Sequence, residues 1–244
     1  EDSALLTGRA LFIDDLGTRP GTLHAAFVRS PHGHAQIRNI DTKPALSVPG
    51  VHAVLTGADI ARLVNPFTVG VKAPMQHWAI ARDRVRYQGE PVAIVLADSP
   101  YLAEDGAQRV AVDYDVLPAV VDPVQATSED APRLHPSLAS NVVSERHFSY
   151  GEPAAEFQRA GRVASITISY PRNSVTPIEC YGVIAEWRPG EETYEVTANF
   201  QGPYALHPVM ALALQVPGNR LRLKTPPNSG GSFGTKHAVF QYVV

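Results

Sequence analysis

One cysteine, Cys180, is present in 244 residues. A lone thiol excludes an intramolecular disulfide framework, a four-cysteine zinc site and an iron–sulfur cluster held by this chain alone. Charge is sparse, at 18% of residues, and the net charge is -3. No cluster of Lys and Arg offers the basic footprint that nucleic acid requires, so no nucleic-acid partner is expected. No apolar run reaches membrane-spanning length, so no membrane partner is expected. The opening "EDSALLTGRALF" lacks the basic start and apolar stretch of a secretory signal, which fits a cytoplasmic location. It also lacks an initiator Met, which reads as a trimmed or processed chain.

What is present is a globular composition. Hydrophobic residues make up 44%, and the length accommodates one large domain or two ordinary ones. The 21 prolines imply short elements with rigid connectors. "TLHAAFVRS" reads as a strand, and "HAQIRNID" as another with Ala35, Ile37 and loosely Asn39 on one face. "TKPALSVPG" reads as a helical turn, "VHAVLTG" as a strand, and "ADIARLV" as a short helix with Asp59 in its first turn. The run Val92 to Ala97 has the pattern of a strand buried on both faces. Ser99 is placed as an N-cap, with Pro100 first in a helix whose inner stripe is Leu102, Ala103, Ala107 and Val110. "VAVDYDVLPAVV" closes this unit as a strand. A proline-, serine- and aspartate-rich connector follows. Then "RVASITISYPRN" alternates like a strand, and "YGVIAEWRPGEETYEVTANFQG" reads as two strands joined at Pro189-Gly190. "ALHPVMALALQVPG" is helix-like and "NRLRLKTPP" is strand-like. The expected fold is α+β, divided at 1–121, 122–144 and 145–244. The apolar "AVFQYVV" reads as the start of a helix, which points to a larger protein or complex.

The last strand feeds "PPNSGGSFGTKH", Pro226 to His237. Strand, glycines, then helix start is a geometry that aims backbone N–H groups at a ligand. A phosphate loop needs Gly-Lys-Ser/Thr, but the order here is Gly234-Thr235-Lys236-His237. "GGSFG" also fails the Gly-x-Gly-x-x-Gly dinucleotide pattern. A nucleotide-binding module is therefore disfavoured, and the local pattern alone favours a plain Gly/Ser turn.

The loop has company. "GGSFGTK" (Gly230 to Lys236) resembles the Gly-Gly-x-Phe-Gly-x-Lys loop of the molybdenum hydroxylases, the xanthine dehydrogenase and aldehyde oxidase family. "LLTGRALFIDDL", "AFVRSPHGHAQIRNID", "PGVHAVLTGADI", "VRYQGEPVAIVLADSPYLAEDGAQRVAVDYDVLPAVVD", "PIECYGVIAEW" and "TANFQGPYALH" resemble that family's segments in order and spacing, most of all those of bacterial carbon-monoxide-dehydrogenase-type large subunits. The resemblance implies an α/β hammerhead domain followed by the beginning of a mixed α/β molybdopterin-binding domain.

It implies a cofactor site. Gln201 falls on the family's Gln that hydrogen-bonds an oxygen ligand of molybdenum, with Gly202 beside it. Phe233 falls on the loop Phe whose backbone lies beside the metal's ligands. Gly230, Gly231, Ser232 and Gly234 would let the backbone approach the pterin, and Ser232 stands where the family commonly has Gly. Gln201 and Phe233 would thus reach molybdenum's ligands without binding the metal. Phe233 and His237 would line the substrate pocket. His237 takes the place of an acidic residue in xanthine-oxidising members, which implies a different substrate. The implied cofactor is molybdopterin, in its cytosine dinucleotide form, with Mo. The implied reaction hydroxylates an aldehyde, N-heterocycle or related small-molecule carbon with water-derived oxygen. FAD and [2Fe-2S] centres would sit on partner flavin and iron–sulfur subunits. No position matches the family's catalytic Glu, the later pterin-gripping helices or the cysteine-bearing loop of carbon monoxide oxidation. A complementary C-terminal molybdopterin-binding segment is therefore an implied partner, and the isolated chain is expected to be inactive. The competing reading is a scaffold or assembly module without cofactor.

Other residues have plainer readings. His32 and His34 lack a third metal ligand, so a structural or solvated pair is expected. Glu179 supports the site from behind or makes an ordinary ion pair, and both readings stand. Cys180 reads as a small buried residue. The pairs Asp14/Asp15 and Asp113/Asp115 read as solvated surface. Trp78 and Trp187 read as core or interface aromatics. His207 and Lys236 either steer an anionic group or serve packing and solubility.

Overall fold

A computed structural model describes residues 2–67, 75–171 and 176–244, and of residues 238–240 the backbone alone. The chain opens with α1 (Asp2–Leu6) and a 3-10 turn (Ile13–Leu16), then β1 (His24–Arg29) and β2 (Ala35–Asp41). Next come α2 (Lys43–Leu46), β3 (Val51–Thr56), α3 (Gly57–Leu63), β4 (Arg84–Val85) and β5 (Pro91–Ala97). Then follow α4 (Pro100–Arg109), β6 (Ala111–Val116), and, after a long irregular stretch, α5 (Pro153–Arg159). The chain continues through β7 (Val183–Arg188), β8 (Thr193–Ala198), α6 (Pro203–Ala213), β9 (Leu221–Lys224) and α7 (Phe240–Val243).

Two antiparallel sheets build the first half, in strand orders β1-β5-β3 and β4-β2-β6. Strand β5 is central because Val92, Ala93, Val95 and Ala97 are all fully buried. Helix α4 packs on this sheet. The Ser99 hydroxyl accepts from the Leu102 N–H at 3.2 Å, and Pro100 stands in the first turn. Ala103 is buried as the stripe predicts, together with Gly106, where a methyl group would meet Val95 and Val51 at 2.9 and 3.0 Å. Gly106 lets the helix lie close to the sheet. Asp59 secures the start of α3, accepting from the Thr56 N–H at 2.9 Å and its hydroxyl at 2.7 Å.

Two expectations need correction, and a third narrows. Asn39 does not share a face with Ala35 and Ile37. A register irregularity between Ile37 and Asn39 turns Asn39 outward, and Ile40 takes the half-buried position. The "RVASITISY" stretch forms no strand within residues 162–171, while Arg172 and Asn173 lie outside the described residues. Alternation alone gives no sheet without a partner edge. Trp187 is not core. It stands exposed on β7 and packs on its cross-strand partner Tyr194, with ring centroids 4.7 Å apart.

The second half contains the β7-β8-β9 sheet, antiparallel between β7 and β8 but parallel between β8 and β9. Helix α6 covers it through Leu206, Met210 and Ala211, which pack with Val196 and Leu221. The halves share apolar contact. Ile60, Val64, Phe67, Ala79 and Ile80 cluster with Ala213 of α6.

Candidate functional site

The parallel β8–β9 pair positions the site. Parallel neighbours end at the same sheet edge, so the loops that leave them meet there. After β8 the chain reads Asn199-Phe200-Gln201-Gly202, and Gly202 takes a left-handed φ of 69° before Pro203 opens α6. After β9 it runs through Pro226-Pro227 into the glycine loop.

The two loops are joined at the Gln201 carboxamide. Its oxygen accepts the Gly234 N–H at 3.0 Å and also the Ser232 hydroxyl. A backbone N–H only donates, so the carboxamide atom that meets Gly234 is the oxygen, and the Nε2 donors are left for another acceptor. The Gln201 N–H in turn donates to the Lys236 carbonyl at 3.3 Å. Ser232 is a hinge pin: its hydroxyl donates to Gln201 and accepts the Lys236 N–H at 3.3 Å. A glycine at that position could make neither bond.

Phe233 has a φ of 50°, an uncommon conformation for a residue with a side chain, and the residue is 72% exposed. Gly231, at φ 90°, passes under that ring, and a methyl group there would meet it at 3.2 Å. Gly230 is required by crowding, because a methyl group would lie 2.4 Å from the Glu179 Cβ. His237 is exposed and packs against Gly202, where a methyl group would come 3.0 Å from its ring. All seven of the residues expected to bind cofactor, and His237, therefore lie in one neighbourhood.

Beneath the loop is a hub that sequence reasoning captured only in part. Lys236 is fully buried, and its ammonium pairs with Glu179. Glu179 also accepts the Gly230 N–H at 2.9 Å and the Ile13 N–H at 3.4 Å. Burial pushes the Glu179 carboxyl up, but hydrogen bonds from Lys236, Gly230, Asn199 and Ile13 outweigh it and hold the group below its ordinary value. Of the two readings of Glu179, the ion pair is present and it also ties the loop down. Asn199, buried and unremarked in the sequence, accepts the Gly182 N–H at 3.1 Å and donates to the Cys180 carbonyl at 2.7 Å. The N-terminal segment joins in, since Leu11 and Asn228 exchange hydrogen bonds of 2.9 and 3.1 Å.

The side chains of the other candidates take no part in this network. Cys180 is exposed, not buried, because its segment is held by its backbone carbonyl while the side chain faces out. His34 is buried and meets the Pro118 carbonyl at 2.7 Å and Arg84 at 3.1 Å, whereas His32 stacks edge-on with Tyr114. Asp115 pairs with Arg38 on the surface, and Asp15 accepts the Phe12 N–H. Half-buried Trp78 carries Arg82 over its face at 4.8 Å. His207 meets the Leu221 carbonyl at 2.8 Å, a packing role. Among the described residues no group of three or more His, Cys, Asp and Glu could hold a metal ion. No helix among them is long and apolar enough to cross a membrane.

Comparison with known proteins agrees with this organisation. Residues 7–118 match the aldehyde oxidase and xanthine dehydrogenase a/b hammerhead domain, and residues 134–244 match the molybdopterin cofactor-binding domain. The carbon monoxide dehydrogenase large chain of Hydrogenophaga pseudoflava is 34% identical over 98% of this chain and 31% of its own. The nicotine 6-hydroxylase large subunit of Paenarthrobacter nicotinovorans is 35% identical over 98% of this chain and 30% of its own. The crystal structure of quinoline 2-oxidoreductase from Pseudomonas putida 86 superposes with a TM-score of 0.87 at 33% identity, over 99% of this chain and 31% of that one. The chain thus spans about a third of the length of these relatives. On the two domain matches and the agreement in structure, the chain belongs to the molybdenum hydroxylase family of xanthine dehydrogenases and aldehyde oxidases, with an α/β hammerhead domain followed by part of a molybdopterin cofactor-binding domain.

Proposed function

We propose that this chain is part of the molybdopterin-binding subunit of an oxidoreductase that hydroxylates an aldehyde, N-heterocycle or related carbon centre with water-derived oxygen. The observation that carries this reading is the shared hydrogen bonding of the Gln201 oxygen by Ser232 and Gly234. It fixes the carboxamide so that Nε2 can donate to an oxygen ligand, and it holds the glycine backbone beside it. The residues fit the group. Gly230 and Gly231 keep side chains out of the approach, and Gly202, Ser232, Phe233 and Gly234 complete the cradle. When bound, the molybdenum cofactor supplies the oxygen transfer and takes up the two electrons of the oxidation. Gln201 would hold the cofactor's oxygen by hydrogen bonding. The Phe233 ring would wall the substrate pocket. His237 would orient substrate at the mouth.

The relatives' names supply the substrate classes, among them carbon monoxide, nicotine and quinoline. The finer parts of the reading are the cytosine dinucleotide form, FAD and [2Fe-2S] centres on partner subunits, a complementary polypeptide completing the cradle, and the cytoplasm as location. The hammerhead unit is 1–121, the connector 122–144 and the cofactor-binding unit 145–244.

One observation favours the rival scaffold reading for the chain by itself. Glu179, the carboxylate of the loop network, is committed to Lys236 and two backbone N–H groups and is no free base. Molybdenum and pterin analysis separates the two. The chain is purified alone and after co-expression with the part of the Hydrogenophaga pseudoflava large chain outside the matched stretch. Cofactor retained by the completed pair, and lost with Gln201→Ala, supports the enzyme. A pair that assembles without molybdenum or pterin supports the scaffold.

A further inference from the structure

Residues 164–170 alternate apolar Ala164, Ile166, Ile168 and Tyr170 with Ser165, Thr167 and Ser169. Ile166 is 81% exposed, Ile168 78% and Tyr170 86%. None of residues 162–171 is in a strand. Residues 163–169 exchange no backbone hydrogen bond with another described residue. Phe148 and Tyr150, before α5, are exposed as well, at 90% and 99%. Scattered exposed apolar residues are ordinary, but a contiguous row with period two is the pattern of a sheet strand. Solvent-facing edges are usually guarded by charge or proline. Between Val163 and Tyr170 there is neither.

We propose that residues 163–170 are a docking strand that adds, through its backbone, to a sheet edge of the polypeptide completing the cofactor-binding subunit. Ala164, Ile166, Ile168 and Tyr170 bury against that polypeptide, and Ser165, Thr167 and Ser169 face the other way. This rests on the proposed reading that further polypeptide completes the subunit. Period two selects backbone pairing over insertion of a helix into a groove. The absence of Lys and Arg from the stretch argues against nucleic acid or an anionic membrane as occupant. The identity of the occupant follows from coverage: the segment belongs to a chain that superposes over 99% of itself on 31% of the quinoline enzyme's chain. Most of that relative's polypeptide therefore lies outside the matched stretch and is available to cover this row.

The test co-expresses the tagged chain with the Hydrogenophaga pseudoflava polypeptide outside the matched stretch and follows amide hydrogen exchange. In the pair, the amides of residues 163–169 are expected to slow by at least about tenfold relative to the isolated chain. Thr167→Pro removes one N–H from residues 163–169, which exchange no backbone hydrogen bond with another described residue. It is expected to leave the isolated chain's melting temperature unchanged and to lower recovery of the pair by about tenfold. Ile166→Asp is expected to do the same. A pair that forms while these amides exchange as fast as in the isolated chain overturns the docking strand alone. So does pairing of two copies of this chain through the segment. Failure of the unsubstituted chain to form any pair overturns the completed-subunit reading, and the docking strand with it.

Discussion

Lys236 is fully buried beneath the glycine loop, and its ammonium rests on the Glu179 carboxylate. Removing one member strands the other charge away from water, which costs more than the pair contributes. Lys236→Met is therefore expected to destabilise the chain by roughly 3 kcal/mol, the low end for a buried pair because Glu179 keeps its backbone donors. Thermal unfolding should show a melting temperature lower by roughly 6–12 °C. An unchanged midpoint would mean that the pair is not anchoring the loop.

The same pair predicts an acid limb. The Glu179 pKa is held below the ordinary glutamate value of 4.5, so its contribution to stability is complete above that value. It is lost as the pH falls through the depressed folded-state pKa. Lys236→Met removes the chief group holding the carboxyl down, so the remaining loss should begin at higher pH. Melting temperatures measured across the acid range check this, and superimposable acid limbs for the two proteins would refute it.

Gln201 makes a sharper test of the proposed chemistry. In a completed assembly, Gln201→Ala is expected to reduce turnover per molybdenum by about a hundredfold, as removal of one aligned donor typically does. Tyr101→Ala, on the exposed face of α4, should leave it unchanged. Equal effects from the two, normalised to metal content, would remove Gln201 from the site.

Gly57, at the start of α3, and Gly190, in the β7–β8 turn, differ sharply in the room around them. A methyl group on Gly57 would sit 2.1 Å from the Ala81 carbonyl oxygen and 2.8 Å from the Arg82 Cα, whereas one on Gly190 meets nothing within 4 Å. Gly57→Ala should cost about 2–3 kcal/mol because backbone has to move. Gly190→Ala should be neutral or stabilising by about 0.5 kcal/mol. Chemical denaturation midpoints distinguish them, and a tolerated Gly57→Ala would contradict the close crossing of α3 by residues 81–82.

Local chemistry made much of this legible in advance. Ser99 and Pro100 announce α4, the run Val92 to Ala97 announces a buried central strand, and Pro189-Gly190 announces the β7–β8 turn. The meeting of Gln201 with the glycine loop was legible only through family resemblance, since it depends on β8 and β9 lying parallel side by side. Three features were hidden because their causes are non-local. The irregularity that rotates Asn39 outward is a property of strand pairing. The burial of Lys236 is defined by Glu179, 57 residues away. Cys180 looks like a core residue by type, yet its position is dictated by a carbonyl held by Asn199.

The apolar cluster that joins Ile60, Val64 and Ile80 to Ala213 spans both matched domains. Asn65 adds a backbone bond of 2.8 Å to the Ala213 carbonyl. A protease that nicks the irregular connector would cut the covalent link without separating the pieces. The two fragments would migrate as one particle and melt in one step, with the hammerhead serving as a permanent wall of its neighbour.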